Sequence, residues 1–545
     1  MSSAELQIIH PLAKLLPGSE PVGFDGPFQG LRGETISLQV AYRSTEPERV
    51  DCSLDVSSDG LLPEGWWVRN VPCELPAYAD ADDRYLTKTP SLLPDRLEDP
   101  DADGAVPGRF VPELWQSAFV DVHVPADASP RAYVVSVEFT NQETSEIHAQ
   151  IDIPVEVLDG PTLSELPTLP RAEWLHVDCV AEAHDLKIWS DEHWLALENY
   201  IREATAHHVD SLLTPLLTPP LDTAVGTYRA PVQLVDVTPD GDGFQFGFDR
   251  LERWLELAER CSVKTLEVAQ LFTQWGARSA PQVRDTDGNL IFGWDTDGMD
   301  PKYVAFLDAL LPAFIDVLHR HGWEGRYFFH VSDEPTPACI DRYREAVAVV
   351  RRSVGDAPIR EPISHVEMLD DVPGPIVSVD ALDAFIEAGA TDIWGYVCCA
   401  QGREFPNMFI AMSGARTRII GTILFVSEAT GFLHWGYNFF KSQFSRRNLN
   451  PAMATDSGLG FQSGDAFLVY PGPDLAPESS LRMKYLRQAF DDHALLAALG
   501  EQAGREAALD AIREANDGEL PTWTSYPEDP DFFARLRTAI LQRLT

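Results

Sequence analysis

Cationic side chains are scarce in this chain: 42 Lys and Arg stand against 85 Asp and Glu, a formal net charge of −43 over 545 residues. Such a field repels phosphate backbones and anionic membrane surfaces, so neither nucleic acid nor membrane is an expected partner and neutral substrates fit better. The charge is equally readable as a solubility trait. Cysteines are few and unpatterned. The seven lie at 52, 73, 179, 261, 339, 398 and 399, with no CxxC and no Cys/His metal spacing, so free thiols in a reducing cytoplasm and no bound metal are expected. No run of eighteen apolar residues occurs, so no membrane span is expected. The first ten residues carry neither the basic nor the apolar part of a secretory signal, which again suits a cytoplasmic location. No Gly-rich phosphate loop opens a helix, so no nucleotide cofactor is expected.

What the chain does contain divides into two patterns. Hydrophobic residues at 44% and charged residues at 23% suit a globular protein long enough for more than one domain. Over residues 1–160 short segments alternate with period two, among them Thr35-Ile-Ser-Leu-Gln-Val-Ala-Tyr42, Trp66-Trp-Val-Arg-Asn-Val71 and Ala132-Tyr-Val-Val-Ser-Val-Glu-Phe139, which is the signature of an all-β sandwich. Trp66 and Trp67 read as sandwich core or domain interface. The Asp- and Pro-rich stretch 80–112 reads as a long loop or flap. A Pro- and Gly-rich segment at 158–170 marks the boundary to a region at 161–500 in which strands alternate with helices. The tail, 501–545, reads as a helical extension.

Eight strands are expected in that second region, at 173–179, 211–217, 264–271, 326–331, 359–364, 392–397, 431–437 and 465–470, with helices between most of them. Eight strands with interleaved helices predict a (β/α)8 TIM-type barrel, whose chemistry sits at the C-terminal ends of the strands. Those ends gather His176 and Asp178, Thr218 with Asp222, Gln274 and Trp275, His330 with Asp333 and Glu334, Trp394 and Tyr396, Trp435, Tyr437 and Asn438, and Asp465. Aromatic rings and carboxylates with few cations suit a neutral sugar, which needs faces for its C–H surface and acceptors for its hydroxyls. Trp-Gly-Tyr occurs at both Trp394-Gly-Tyr396 and Trp435-Gly-Tyr437, where glycine permits close approach of another group. The Pro-rich segment 217–229 is expected to project over the mouth with a hairpin beyond it. Arg229, at its end, reads either as a holder of a pocket carboxylate or as a loop ion pair.

The focal stretch is His330-Val-Ser-Asp-Glu-Pro335, where an aromatic strand ends in two adjacent carboxylates. Neighbours on a regular strand point to opposite faces, so Asp333 and Glu334 reach one ligand only if the chain leaves strand geometry there. Pro335 is expected to hold Glu334 extended.

Several motifs in order, Thr218-Pro-Pro-Leu-Asp-Thr223, Phe272-Thr-Gln-Trp-Gly276, Phe292-Gly-Trp-Asp295, His330-Val-Ser-Asp-Glu-Pro335, Trp435-Gly-Tyr437, Val469-Tyr-Pro-Gly472 and Leu481-Arg-Met-Lys-Tyr-Leu-Arg487, resemble glycoside hydrolase family 123, the β-N-acetylgalactosaminidases, over most of residues 170–500. The resemblance implies a β-sandwich before the barrel and a retaining, substrate-assisted reaction on a β-linked GalNAc glycan, with no cofactor. It implies that Asp333 orients the substrate acetamide and Glu334 is acid and then base, for which a raised Glu334 pKa is expected. Trp394, Tyr396, Trp435 and Tyr437 would wall the sugar pocket. A glycosidase for a sugar without an acetamido group, and a non-catalytic carbohydrate-binding protein, remain the alternatives.

Overall fold

The computed structural model describes residues 4–102 and 104–544. The N-terminal region is sheet-rich. One five-stranded sheet runs in the order Ala4–Ile9, Thr35–Ser44, Gln116–His123, Leu62–Cys73, Ser91–Glu98; the other runs Gln29–Gly30, Ile147–Val157, Ala132–Asn141, Val50–Ser58, Gly108–Phe110. The alternating apolar residues of both sheets, such as Leu38, Val40, Val120, Val135 and Val137, meet in a single core. Trp67 lies in it against Tyr42 and Phe139, while Trp66 packs under Lys484 Nζ at 4.3 Å. The expected loop at 80–112 holds two strands, Ser91–Glu98 and Gly108–Phe110, whose Pro- and Asp-rich wording hid them.

The second region is a curled parallel sheet of eight strands: β1 (Arg171–Glu173), β2 (Ser211–Thr214), β3 (Thr265–Val268), β4 (Tyr327–Phe329), β5 (Glu361–Ile363), β6 (Pro375–Ser378), β7 (Trp394–Val397) and β8 (Gly431–His434). Their lateral order is β4-β3-β2-β1-β8-β7-β6-β5. The two edges, β4 and β5, meet at a single parallel bridge, Phe329 to Ile359. Six of these strands, β2–β5, β7 and β8, lie within the segments the sequence put them in, whereas the strand expected at 173–179 is met only at Glu173, because β1 ends there and α1 begins at Val177. The eighth expected strand is not in the sheet: residues 465–470 form a turn and a bridge to Asn438, and β6 takes the place in the sheet.

The strands are joined by α1 (Val177–Ala183), α2 (Asp191–Thr205), α3 (Asp249–Arg260), α4 (Pro301–Arg320), α5 (Ile340–Val354), α6 (Leu382–Glu387) and α7 (Gly414–Val426), followed by α8 (Leu481–Ala503), α9 (Arg505–Ala515) and α10 (Asp531–Leu544). Side-chain caps start several of them: Ser190, Asp300, Ser413 and Ser480 each accept a backbone N–H of the first turn. Between β5 and β6 there is only a 3-10 turn, Val366–Asp371, so the strand-helix alternation is incomplete. Two hairpins, Asp236–Asp240 with Gly243–Gly247 and Val283–Arg284 with Leu290–Phe292, decorate the C-terminal ends. The first, expected as a lid, packs Phe244 and Phe246 on Phe306 of α4, with centroids 5.1 and 5.6 Å apart. Among the described residues no helix is long and apolar enough to cross a membrane, and all seven cysteines are free.

Candidate active site

Strand β4 ends one residue before a backbone that is gripped from two sides. The N–H groups of Val331 and Ser332 both donate to Glu361 Oε2 at 3.0 Å, and Tyr343 Oη donates to the same oxygen at 3.3 Å. Ser332 Oγ accepts from the N–H groups of Gly276 and Ala277 at 3.2 and 3.1 Å and donates to Thr273 O at 3.0 Å. Held in this way, the chain turns out of strand geometry: φ is +137° at Asp333 and +42° at Glu334. The departure expected from the adjacency of the two carboxylates is present. The extended conformation expected of Glu334 is not, because the grip on residues 331–332 and the Trp275 N–H on Asp333 O at 2.9 Å override the preference set by Pro335.

Both side chains face one cavity of about 160 Å³. Gln274 Nε2 donates to Asp333 Oδ2 at 2.7 Å, and Gln274 Oε1 accepts from Asp222 N at 2.7 Å, so one amide fixes two acidic residues. Tyr396 Oη, at the end of β7, donates to Glu334 Oε1 at 2.7 Å. Burial, then the neighbouring Glu334, holds the Asp333 carboxyl well above the usual range, with Glu361 adding to the effect and the Gln274 amide opposing it. Burial also lifts Asp222 to about 6, against the pull of the Phe444 N–H on its Oδ2.

The walls are aromatic. Trp174 donates its indole N–H to Glu267 Oε2 at 3.0 Å, Trp435 donates to Asp465 Oδ2 at 3.1 Å, and Phe461 stacks edge-on against Trp435. Trp275 stands at the rim with 56% of its surface exposed, an unusual position for an indole and one that offers a free face. Leu221, Leu433 and Pro362 supply apolar lining, and Cys398 and Cys399 complete the wall; no lining residue is Lys or Arg. Beneath lies His330, fully buried, with Nδ1 on Arg360 O at 2.8 Å and Nε2 on Glu267 Oε2 at 3.0 Å. Burial opposes its charge, but the Glu267 carboxylate, then Glu361 and the Arg360 carbonyl, outweigh it and raise its pKa above the usual histidine value.

Six of the residues singled out in the sequence thus meet at the cavity: Asp222, Trp275, Asp333, Glu334, Tyr396 and Trp435. Gln274, Asp465, His330 and His176 stand behind it, each bonded to one of its walls or supports, His176 through Nε2 on Trp435 O at 3.0 Å. The rest go elsewhere. β1 stops at Glu173, so His176 and Asp178 fall at the start of α1, where Asp178 is paired with Arg229 (Nε to Oδ2 2.9 Å) and Lys441, and Asn438 bonds the His176 backbone. Arg229 is therefore the ion-pair partner rather than a holder of a pocket carboxylate. Trp394 begins β7 rather than ending it and packs on Phe328 inside the sheet. Tyr437 turns outward and donates to Tyr200 O at 2.8 Å. Of the two Trp-Gly-Tyr glycines only Gly436 meets the expected close approach: a Cβ there would lie 2.3 Å from Asp465 O, whereas at Gly395 it would meet only side chains at 3.4 Å. Glu361 and Glu267 were the readable signals missed, since a glutamate inside an apolar strand demands a buried partner.

Residues 174–499, more than half of the chain, match the family model described as glycoside hydrolase 123, catalytic domain. The chain belongs to glycoside hydrolase family 123. The solved structure of a family 123 glycoside hydrolase from Clostridium perfringens superposes on this member with a TM-score of 0.73 at 14% identity, covering 99% of this chain and 98% of the other. A family 39 glycoside hydrolase from the gut symbiont Bacteroides cellulosilyticus reaches a TM-score of 0.35 at 11% identity, with 82% and 80% covered, and at that score carries no argument. No curated protein matches the chain. In this family 123 member larger cavities exist, of about 500 and 490 Å³, but their linings draw on the outer loops and the C-terminal tail, such as Trp523 and Trp189, and contain neither Asp333 nor Glu334.

Proposed function

We propose that this family 123 glycoside hydrolase is a retaining exo-β-N-acetylgalactosaminidase, with the curled sheet acting as a (β/α)8-type barrel whose mouth holds the sugar. The observation that carries the reading is the pair of consecutive positive φ angles that turns Asp333 and Glu334 toward one cavity, each steadied by one neutral donor, Gln274 or Tyr396. A cavity of about 160 Å³ suits a single ring, since sites for drug-sized ligands run to roughly 300–1,000 Å³.

In the first half-reaction the substrate's acetamido oxygen bonds to its own anomeric carbon as the glycosidic C–O bond breaks. Glu334 gives its proton to the leaving oxygen, and Asp333 accepts the acetamide N–H, stabilising the positive charge that spreads over the oxazolinium ring. In the second, water attacks the anomeric carbon, Glu334 takes its proton, and the ring opens with retention. An N–H donated by the substrate adds to the Gln274 amide in favouring the Asp333 anion. The aromatic walls Trp174, Trp435 and Trp275 provide faces for the ring. On an alkyl β-GalNAc substrate, Glu334→Ala should lower kcat by about 10²–10⁴ and Asp333→Asn by about 10²–10³. Wild-type-like turnover in either variant, or a glycoside panel in which sugars lacking the acetamide are the better substrates, refutes the assignment.

A further inference from the structure

Cys398 and Cys399 follow β7 directly and both line the cavity that holds Glu334. Of the other five cysteines, four are buried, and Cys339 has its thiol engaged by Thr336, donating to Thr336 O at 3.1 Å and accepting from Thr336 N at 3.2 Å. The turn that carries the adjacent pair is rigidly held: Cys398 N donates to Gln401 Oε1 at 2.9 Å, Asn407 Nδ2 donates to Cys398 O at 2.9 Å, and Gln401 Nε2 is anchored on Asp380 at 2.8 Å.

We propose that Cys398 and Cys399 form a dithiol site in the cavity wall for a soft, thiophilic ligand, of which trivalent arsenicals are the fitting class. Consecutive Cα atoms are about 3.8 Å apart, shorter than the roughly 4.4–6.8 Å that an unstrained disulfide spans, so a direct S–S bond strains the turn. A larger atom set between the sulfurs relieves that strain, and soft sulfur donors select it. An aryl arsenoxide condenses with both thiols: two As–S bonds form, the As=O oxygen leaves as water with the two thiol protons, and arsenic stays trivalent, so no oxidant or reductant is needed. The neighbouring Cys399, then burial and the negative field of Glu334 and Asp465, push the Cys398 thiol well above its usual range. Alkylating agents, which need the thiolate, are therefore slow at Cys398, whereas the condensation releases the thiol protons as water. Once one sulfur is bound, the second meets arsenic intramolecularly, which separates this pair from any single thiol. The bridged aryl group fills the space beside Glu334. Exclusion of a sugar ring by it rests on the proposed function; formation of the adduct does not.

The test is intact-protein mass spectrometry of the full chain with phenylarsine oxide in the presence of excess glutathione, which strips single-thiol adducts. The expected result is one phenylarsenic bridge per chain, less two hydrogens, reversed by dimercaptopropanol. It falls from stoichiometric to none in Cys398→Ser, in Cys398→Ala and in Cys399→Ser, and is unchanged in Cys339→Ser. No adduct on the wild-type chain, or an adduct that survives loss of either Cys398 or Cys399, overturns the proposal. Because the readout is mass, it stands apart from any failure to cleave a GalNAc substrate.

Discussion

Asp333 and Glu334 hold backbone conformations that cost on the order of 1–3 kcal/mol each for non-glycine residues. Such strain persists only where the surroundings over-determine it, and Glu361 with Ser332 supplies that determination through five hydrogen bonds that fix Val331 and Ser332 immediately before the turn. Asp465 is the second residue to carry a consequence. It is buried, it holds Trp435 by the indole N–H, and burial lifts its pKa from 3.8 to about 7, with His434 and Trp435 pulling the other way. A carboxyl whose folded pKa is raised contributes stability that is fully present below its unfolded pKa and is lost as pH climbs through the folded value. The wild-type protein should therefore lose stability relative to Asp465→Asn as pH rises from about 4 to about 7, with the gap constant above. Denaturant melts of both proteins across that range check it, and a pH-independent gap contradicts it.

At the scale of elements, what shapes the cavity is where strands end rather than which residues they contain. β8 stops at His434, and the following glycine lets the segment bearing Asp465 press against the backbone. Gly436→Ala places a methyl 2.3 Å from Asp465 O and 2.7 Å from the Ala466 carbonyl carbon, so the segment must move, at a cost of about 1–3 kcal/mol. The expected kinetic result is a raised KM with kcat little changed, because Trp435 is displaced while Asp333 and Glu334 are not. Gly395→Ala, which meets only side chains at 3.4 Å, should be close to neutral in the same assay; equal effects of the two substitutions contradict this account. Strand ends are also where the sequence was hardest to read. Six strands showed themselves as apolar runs, β1 was placed too far along the chain, and β6 follows Pro373-Gly374 and opens on Pro375, residues that signal a break. Residues 465–470 carry an apolar, strand-like run that serves instead as a buried turn. β1 ends three residues before His176, which is why Asp178 belongs to an ion pair with Arg229 and His176 backs the wall through Trp435 O instead of lining the cavity. The Asp-Glu pair and its Tyr396, Trp435 and Trp275 neighbours were legible because each lies at or just beyond the C-terminal end of a strand or in a loop too long for a plain connection.

At the scale of the molecule, the N-terminal sheets and the parallel sheet are locked through α8. Arg482 is fully buried on Asp95, with Nε 2.9 Å from Oδ1 and Nη2 2.9 Å from Oδ2, while Tyr470 donates to the same carboxylate at 2.6 Å. Arg487 and Lys484 close on Asp121, whose carboxyl stays ionised because these cations outweigh its burial. The charged letters of Leu481-Arg-Met-Lys-Tyr-Leu-Arg487 thus serve the interface, not the chemistry. Arg482 also donates to Gly464 O and Phe467 O at 2.7 Å, and so pins the segment that carries Asp465 behind the cavity wall at Trp435. Removing one partner of a buried pair leaves a lone charge, so Arg482→Ala should lower the unfolding free energy by about 3–5 kcal/mol. The exposed Arg352, paired with Asp308, should contribute no more than about 1 kcal/mol when replaced by Ala. Equal melting shifts for the two variants would contradict the locking role.

The central claim is that the substrate's own acetamido oxygen is the nucleophile, placed by Asp333 and served by Glu334. It is tested most directly by kcat/KM for aryl β-GalNAc substrates whose N-acyl group carries none, one, two or three fluorine atoms. Each fluorine withdraws electrons from the carbonyl oxygen while leaving the ring and the leaving group unchanged. The account predicts a steep, monotonic fall in kcat/KM along the series; a flat series would show that another group attacks the anomeric carbon.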